Sequence, residues 1–314
     1  MRTFPDAVLA ALFLSGCADS PWLLSDDLEP AVTQATTGRS GADRDPEVSR
    51  DGRLLFYAST SHGETFDLYV KTVGSNTATR LTSMPGDERF PRLNPAHPRM
   101  LAFCSNEHGS WELYLMQDYV ENPAKIVLLS EPGSENLHPS WSPDGTKIVY
   151  CSSRTLSGGD WVLKVKDLAT GRTTVLEDVD GMLPDWSPSG NRIVFQRMKH
   201  RDDWLSSLWT LDFENGTARN VTSIFSSDDW AAINPAWSPD GRRVVFATVG
   251  KSRARAGVMN EADDLWFVSA DGMNPTRLTT YPSADWMPCW SKDGRVYFVS
   301  NRSGSPRIWS LAAP

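Results

Sequence analysis

The chain has 314 residues, of which 40% are hydrophobic and 22% are charged, so it can bury a substantial core and is not predominantly disordered. Its 31 basic and 39 acidic residues give a net charge of −8, which argues against a nucleic-acid-binding protein, because that class needs a surplus of Lys and Arg. The 13 Trp, 21 Pro and 22 Gly favour many short strands and turns over a helical bundle.

The N-terminus has the pattern of an export signal followed by a lipidation site. Residues 7–14 form an apolar run that is too short to span a bilayer but long enough for the core of a signal peptide. It leads into Leu14-Ser15-Gly16-Cys17, which resembles the lipobox of bacterial lipoproteins. The resemblance implies that residues 1–16 are a removed signal peptide and that acyl chains on Cys17 hold the protein to a membrane. The alternative is a buried or incidental Cys17.

The residues after Cys17 predict the membrane to which the protein is sorted and a tether that follows the anchor. In enterobacterial lipoproteins, which this region resembles, Asp directly after the cysteine favours the inner membrane, and this chain has Ala18 there. We therefore expect the protein to be anchored on the periplasmic side of the outer membrane, with the inner membrane or the cell surface as alternatives. Residues 17–44 are polar with little periodicity and predict a tether containing one short strand near Ala31–Thr36.

One motif, Pro-x-Trp-Ser-Pro-Asp-Gly, recurs along the rest of the chain, once in a degenerate form. Its anchor prolines are Pro46, Pro91, Pro139, Pro184, Pro235 and Pro288. A strand leads into the motif, and a second strand, an Asp-Leu-Trp/Tyr-Val strand and a short Arg-Leu-Thr strand follow it. Four strands at a period of about 45 to 50 residues are typical of propeller blades. The sequence therefore predicts an all-β fold, a six-bladed β-propeller of four-stranded antiparallel blades over residues 45–314.

Closure of this ring depends on the N-terminal segment. The sixth unit ends at Pro314 without its outer strand. An open ring would leave an unpaired sheet edge. We therefore expect the strand near Ala31–Thr36 to complete blade six.

The series of motifs resembles a known family. Arg-Leu-Thr, Pro-x-Trp-Ser-Pro-Asp-Gly and Asp-Leu-Trp/Tyr-Val are similar to the WD40-like repeats of the TolB-type β-propeller, and they recur in register over residues 46–311. The resemblance implies a cell-envelope role in binding other proteins. TolB has an additional α/β domain before its propeller, and the segment after Cys17 is too short for one, so we expect a TolB-like propeller without that domain.

Motifs of common enzyme classes are missing from the sequence. It contains no G-x-S-x-G elbow, no H-E-x-x-H, no P-loop and no dinucleotide fingerprint. The 5 histidines lack ligand spacing, and no Cys-x-x-Cys pair is present. We therefore expect no catalytic residue, no cofactor and no metal site of the His or Cys type.

Acidic residues are predicted to gather at one face of the propeller. The loops between blades and those joining the second and third strands of a blade project from the same face, called the top face. The interblade loops carry Asp87, Glu88, Glu131, Glu135, Glu177, Asp178, Asp180, Asp228, Asp229 and Asp285. A basic peptide, a polyamine or Ca²⁺ in the channel mouth would relieve their repulsion. The alternative is that loops of an acidic protein are simply acidic.

The tryptophans divide into two sets. Seven share repeat positions and are predicted to pack between blades: Trp141, Trp186, Trp209, Trp237, Trp266, Trp290 and Trp309. Five others, in or beside predicted top-face loops, are Trp111, Trp161, Trp204, Trp230 and Trp286. Aromatic rings are favoured at recognition surfaces. The equally weighted alternative is that these rings only pack the loops against neighbouring blades. The predicted binding residues are Asp228, Asp229, Trp230, Asp285, Trp286, Glu88, His138, Asp180 and Trp204.

Two functions are compatible with these patterns. The first is a non-catalytic, monomeric envelope lipoprotein that binds an envelope protein or basic peptide at its top face. The second is a carbohydrate-binding or carbohydrate-active propeller, in which Trp rings stack on a sugar and carboxylates such as Asp229 and Asp285 act as acid and base. Catalysis needs two close, partly desolvated carboxyls, whereas a binding rim leaves them dispersed and hydrated.

Overall fold

The computed structural model describes residues 31–38, 40–131, 133–153, 161–198, 205–251 and 264–314. Cys17, Trp204 and the predicted signal peptide lie outside these ranges. The described strands form six four-stranded antiparallel sheets, which confirms the prediction of a six-bladed all-β propeller. Among the residues described, no helix is long and apolar enough to cross a bilayer.

Each blade is a meander that starts at the central channel and ends at the periphery. Blades one and two are β2 (Asp43–Val48), β3 (Leu54–Ser59), β4 (Asp67–Thr72), β5 (Thr79–Arg80), and β6 (Glu88–Leu93), β7 (Leu101–Ser105), β8 (Glu112–Asp118), β9 (Asn122–Leu128). Blades three and four are β10 (Asn136–Trp141), β11 (Lys147–Ser153), β12 (Trp161–Asp167), β13 (Thr173–Asp180), and β14 (Met182–Trp186), β15 (Arg192–Met198), β16 (Ser206–Glu214), β17 (Thr217–Phe225). Blade five is β18 (Trp230–Trp237), β19 (Arg243–Gly250), β20 (Asp264–Ser269), β21 (Thr276–Arg277). Blade six contains β22 (Asp285–Trp290), β23 (Arg295–Ser300) and β24 (Arg307–Ala312), and the first strands of neighbouring blades contact one another around the ring.

The ring is closed by β1 (Thr33–Gln34), which pairs antiparallel with β24 as the fourth strand of blade six. The pairing is anchored by the backbone amide of Ile308, which donates to the hydroxyl of Thr36 at 3.0 Å. The guanidinium of Arg307 donates to the carbonyl of Gly41 at 2.7 Å. The predicted closing strand is therefore confirmed.

The recurring Asp-Leu-Trp/Tyr and Arg-Leu-Thr motifs bind each other within a blade. In blade five the guanidinium of Arg277 lies 2.6 Å from the carboxylate of Asp264. The amide of Leu265 donates to the hydroxyl of Thr279 at 3.0 Å, and both groups are buried. Blade one repeats both contacts. These bonds fasten the outermost strand to the third strand, which explains why the two motifs recur together.

The tryptophans that share a repeat position pack between blades. Trp141 of blade three lies in one cluster with Phe90 and Leu113 of blade two, and Trp237 of blade five lies in another with Leu208 of blade four. Both indole N–H groups donate to a carbonyl of the preceding blade, at 2.9 and 3.1 Å. The other five of this set belong to or pack against such clusters. The repeat tryptophans are thus interblade packing residues.

The outer strands differ from the expectation of one short Arg-Leu-Thr strand per blade. In blades two to four they are β9, β13 and β17, which are 7, 8 and 9 residues long. The outer strands of blades two and three carry no such motif. An outer strand has one neighbour and is largely exposed, so its sequence needs no apolar alternation and gives a weak signal.

Candidate functional site

A ring of six residues, one from each inner strand, lines a cavity of about 40 Å³ in the central channel. Each residue directly precedes an anchor proline: Asp45, Phe90, His138, Leu183, Asn234 and Met287. Their φ angles are all positive, from 48° to 57°, and each inner strand has a register shift at this point. Such backbone is uncommon outside glycine and marks bulges. Sequence reasoning missed this ring, although the position before the anchor proline identifies it in every repeat.

The first charged group of the ring is paired. The carboxylate of Asp45 accepts two hydrogen bonds from the guanidinium of Arg89, at 2.7 and 3.0 Å, and its side chain is only 2% exposed. The same guanidinium lies 4.7 Å from the ring centroid of Phe90. This two-bond contact joins blade one to blade two and holds Arg89 against the channel wall.

His138 forms an uncharged part of the ring. Its imidazole lies against Phe90 with ring centroids 4.2 Å apart, and its Nδ1 is 3.4 Å from the sulfur of Cys151. Burial lowers the pKa of His138 to about 3; the carboxylate of Asp45 opposes this shift, and the positive charges of Arg89 and Arg92 add to it. Predicted as a top-face ligand, His138 is a neutral channel-lining group at physiological pH.

A second layer of charged residues lies directly after the anchor prolines. The guanidinium of Arg92 is 3.7 Å from the carboxylate of Glu47, and burial raises the pKa of Glu47 to about 7. The carboxylate of Asp185 accepts hydrogen bonds from the hydroxyl of Ser140 and the amide of Trp237, both at 2.8 Å. Asp185 thereby joins blades three, four and five. This layer is a network that holds inner strands together.

Three of the predicted binding residues are buried in the tops of their blades. Asp285 is 0% exposed and accepts a hydrogen bond at 2.9 Å from Arg302. Trp286 is 1% exposed and belongs to the core cluster between blades five and six. Glu88 is 0% exposed, accepts a hydrogen bond from Ser105 at 3.1 Å, and burial raises its pKa to about 7. These side chains begin inner strands and do not face solvent.

The other predicted residues lie at the top of blades three to five. The chain passes from one blade to the next at the top face, and each such connection is called a crossing. Asp180 is exposed at the crossing from blade three to blade four, and Asp228 and Asp229 are exposed at the crossing from blade four to blade five. Trp230, which begins β18, is half-buried, with its ring 5.9 Å from that of Trp266. Asp228, Asp229 and Trp230 are therefore adjacent at the surface, whereas Asp285 and Trp286 are buried.

The ten interblade acids do not form one group. The carboxylates of Asp87 and Glu135 each accept a backbone amide at the start of a third strand, from Phe66 and Trp111, both at 2.8 Å. Each carboxylate therefore ties the connection into the next blade to the top-face loop of the blade before it. In the part of the chain that the structure describes, no three His, Cys, Asp or Glu side chains are placed to hold a metal ion.

Comparison with known proteins finds similarity to TolB-type propellers. The family model described as the TolB beta propeller domain matches residues 137–254. The Tol-Pal system protein TolB of Anaeromyxobacter sp. is 33% identical over 299 residues, which are 91% of this chain and 53% of that protein. The chain spans about half the length of curated relatives that it matches.

Solved structures share the fold at low identity. A putative TolB from Agrobacterium tumefaciens has a TM-score of 0.65 and 19% identity, covering 92% of this chain and 100% of that one. An oligogalacturonate lyase from Vibrio parahaemolyticus has a TM-score of 0.62 and 17% identity, covering 93% and 96%. At these identities the likeness shows the fold alone, because one fold carries unrelated activities.

Proposed function

We propose that this TolB-like six-bladed β-propeller is a non-catalytic envelope protein that binds a basic segment of another envelope protein at its top face. In this proposal Cys17 carries the lipid anchor, and the propeller stands on the periplasmic side of the outer membrane. The propeller acts as a rigid scaffold, and the loops between blades provide the contact surface.

The observation that carries this proposal is a concentration of exposed carboxylates on two neighbouring crossings. Glu177, Asp178 and Asp180 are exposed at the top of blade three, and Asp228 and Asp229 are exposed before blade five. Grouped charge of one sign attracts an oppositely charged partner and speeds its association. A partner with Lys or Arg side chains complements this surface.

Trp230 adds an aromatic contact beside these acids. It follows Asp229 directly, is only half-buried, and is supported by the ring of Trp266. An aromatic ring held by its neighbours offers contact area at little cost in entropy, and Trp is favoured at the centres of interfaces. Acids with an adjacent held ring are suited to a basic peptide that also carries apolar side chains.

The carbohydrate-active alternative has weaker support. Its acid and base would be Asp229 and Asp285, but Asp285 is 0% exposed and bonded to Arg302, whereas Asp229 is exposed. A glycosidase pair needs two carboxyls that face one substrate. Asp285 does not meet this requirement, because its carboxylate is enclosed within its own blade.

A charge-reversal experiment tests the binding proposal. The full-length chain carrying Asp180→Lys and Asp229→Lys is expected to lose envelope proteins that cross-link to the wild type in cells, because repulsion replaces attraction at both crossings. Glu121→Lys with Asp271→Lys is the matched control, since both are exposed acids between the third and fourth strands of a blade, at the end opposite the top face. Equal loss in both variants, or no loss in either, refutes the proposal.

The anchor is tested separately. Palmitate labelling of cells that express the full-length chain is expected to mark the wild type and not Cys17→Ser. Undiminished label in the variant excludes Cys17 as the lipidation site.

A further inference from the structure

The segment that precedes the closing strand leaves the propeller at the face opposite the top face, called the bottom face. In blade six, β22 starts at a top-face crossing, so β23 runs upward and β24 runs downward from Arg307 to Ala312. β1 is antiparallel to β24, with Thr33 opposite Ser310. The chain therefore rises along β1, and Ala31, which precedes this strand, lies at the bottom of blade six.

This exit point lies between the bottom face and the proposed lipid anchor. From Cys17 to Ala31 the chain can span at most about 50 Å. The inner strands of blades one and six have 6 residues each, so a blade is about 20 Å high without its loops. The tether is thus long enough to pass either face, and the charges of the two faces decide which one meets the membrane.

The top face is unsuited to contact with an anionic membrane. The exposed carboxylates at the two crossings on either side of blade four belong to Glu177, Asp178, Asp180, Asp228 and Asp229. Acidic phospholipids give a membrane surface a negative potential, which attracts Lys and Arg and repels carboxylates. The top face is therefore repelled by such a surface.

The bottom face carries a surplus of bases in the turns that join the first and second strands, called the inner turns. In blades five, six and one the bases of these turns are Arg50, Arg53, Arg242, Arg243, Lys292 and Arg295, and the acids are Asp51, Asp240 and Asp293. Arg243 donates to the carbonyl oxygen of Pro314 at 2.6 Å, whereas Arg50, Arg53, Arg242 and Lys292 are exposed. These three inner turns are therefore positive in a chain whose net charge is −8.

The acids of these inner turns are used within the turns themselves. The hydroxyl of Ser49 donates to the carboxylate of Asp51 at 2.6 Å, and blade five repeats this contact at 2.6 Å. The amide of Arg295 donates to the carboxylate of Asp293 at 3.1 Å. These acids shape the backbone of the turns, and the bases beside them have no such role in common.

The basic surplus lies where the chain leaves the propeller. Arg295 pairs with Ala312 at the bottom end of β24, which is the level of Ala31. The inner turns of blades six and one are in contact, since a Cβ added to Gly52 would lie 3.4 Å from that of Asp293. The turns joining third and fourth strands, called the outer turns, have their acids in blades two to five, at Asp118, Glu121, Asp167, Glu214 and Asp271. The outer turn of blade one, residues 73–78, has no charged residue.

We propose that the bottom face of blades five, six and one lies on the anionic phospholipid headgroups of the membrane that carries the anchor, and that the top face points away from it. This orientation rests on the proposed lipidation of Cys17. Each base close to an anionic surface strengthens the attraction by about fivefold, and the effect fades over about 10 Å at 0.1 M salt. The exposed bases at the turn tips are therefore the ones that act, and the acidic top face is left free for a protein partner.

The test compares two fluorophore positions on the lipidated full-length chain. Asn76→Cys places the label in the outer turn of blade one, at the bottom face, and Ser83→Cys places it at the crossing that leaves the same blade at the top face. Both residues are uncharged and exposed. The wild type taken through the same labelling is the blank for the native cysteines, of which Cys104 and Cys151 are buried.

The labelled proteins are bound to vesicles of phosphatidylglycerol and phosphatidylcholine that contain a lipid with a nitroxide headgroup, which quenches labels at the membrane surface. The label at Asn76 is expected to be quenched at least about twofold more than the label at Ser83, because the two positions lie about 20 Å apart along the blade. In vesicles of phosphatidylcholine alone this difference is expected to shrink. Equal quenching of the two labels, or stronger quenching at Ser83, overturns the proposal.

A pair of double variants tests whether the inner-turn bases cause the orientation. Arg53→Gln with Lys292→Gln removes two exposed bases from adjoining inner turns and is expected to reduce the quenching of the Asn76 label by at least about twofold. Lys125→Gln with Lys251→Gln is the matched control, because the same charge is lost from the outer strand of blade two and from the top end of blade five. Equal effects of the two double variants overturn the role of these bases.

Failure of the anchor is distinguishable from failure of the orientation. Wild-type protein is expected to co-sediment with phosphatidylcholine vesicles more strongly than Cys17→Ser does. Equal sedimentation of the two proteins refutes the anchor, and the orientation that rests on it falls as well. Anchored protein whose two labels are quenched equally refutes the orientation and leaves the anchor standing.

Discussion

Replacement of Arg307 by alanine is expected to weaken the closure of the propeller ring. Arg307 begins β24, and its side chain is 4% exposed. Its guanidinium donates to the carbonyls of Gly38 at 2.9 Å and Gly41 at 2.7 Å, and it lies 3.8 Å from the carboxylate of Asp43. One side chain therefore joins the N-terminal segment, blade one and blade six.

The magnitude follows from the groups that lose a partner. The side chain of Asp43 is 5% exposed and would keep the 2.6 Å hydrogen bond from Ser59 and the attraction of the Lys71 ammonium. Removal of one member of a buried ion pair costs about 3–5 kcal/mol, and a buried carbonyl without a donor costs about 1–3 kcal/mol. These losses do not simply add, because one substitution causes all of them, and an ion pair at 3.8 Å is weaker than a close one. We therefore expect the free energy of unfolding to fall by about 3–4 kcal/mol.

Urea unfolding of the full-length chain, followed by tryptophan fluorescence, measures this change. Arg53→Ala is the matched control, because Arg53 is 82% exposed and its nearest carboxylate, on Asp51, is 3.8 Å away and also exposed. The control is expected to change the free energy of unfolding by less than about 0.5 kcal/mol. Hydrogen exchange at the Ile308 amide is expected to accelerate in Arg307→Ala. A change no larger than that of the control would refute the role of Arg307 in closure.

Three further substitutions test the pH dependence, the motif pairing and the turns. Burial raises the pKa of Glu88 from 4.5 to about 7, so the folded protein retains a proton that the unfolded chain releases, and stability falls as pH rises through this window. Glu88→Gln is expected to remove this contribution, at most about 3 kcal/mol, which urea midpoints at pH 5 and pH 8 will detect as a flatter profile than that of the wild type. Thr279→Val leaves the buried amide of Leu265 without an acceptor and is expected to cost about 1–3 kcal/mol by urea unfolding; a neutral result would contradict the pairing of the two motifs. Gly241→Ala is expected to destabilise more than Gly294→Ala in thermal unfolding, because both glycines have φ near +70° to +80° but only the first would collide with Ser189. Equal losses would show that backbone strain alone is responsible.

The sequence was sufficient for the architecture because its signals are local and repeat in register. The turn motif needs only its own residues: the hydroxyl of Ser142 donates to the carboxylate of Asp144, and Gly145 adopts a φ of +69°. The Asp-Leu and Arg-Leu-Thr motifs meet within one blade. Six copies of such units, with a strand missing from the last, predicted both the ring and its closure by the segment near Ala31–Thr36.

The candidate site was only partly predictable, since burial depends on which strand position a residue takes. Asp285, Trp286 and Glu88 looked like loop residues, but they begin the inner strands β22 and β6 and face the interior of the blade tops. Asp180, the last residue of the outer strand β13, and Asp229, directly before β18, are exposed. A difference of one or two residues in a strand boundary therefore decides whether an acid stabilises the fold or faces a partner.

By itself the sequence determined the repeat, the fold class and the packing role of the in-register tryptophans, because these follow from short-range patterns. Tertiary structure alone decided the contacts between blades. The positive-φ ring around the channel combines Asp45, His138 and four chemically unrelated residues, so no side-chain pattern marks it. A cavity between blades three and four, lined by Asp144 and Gly190, depends on the separation of two turns from different blades. The bulge at each ring position is local to its repeat, but the convergence of the six side chains on one channel and the separation of the two turns depend on how the blades pack against each other.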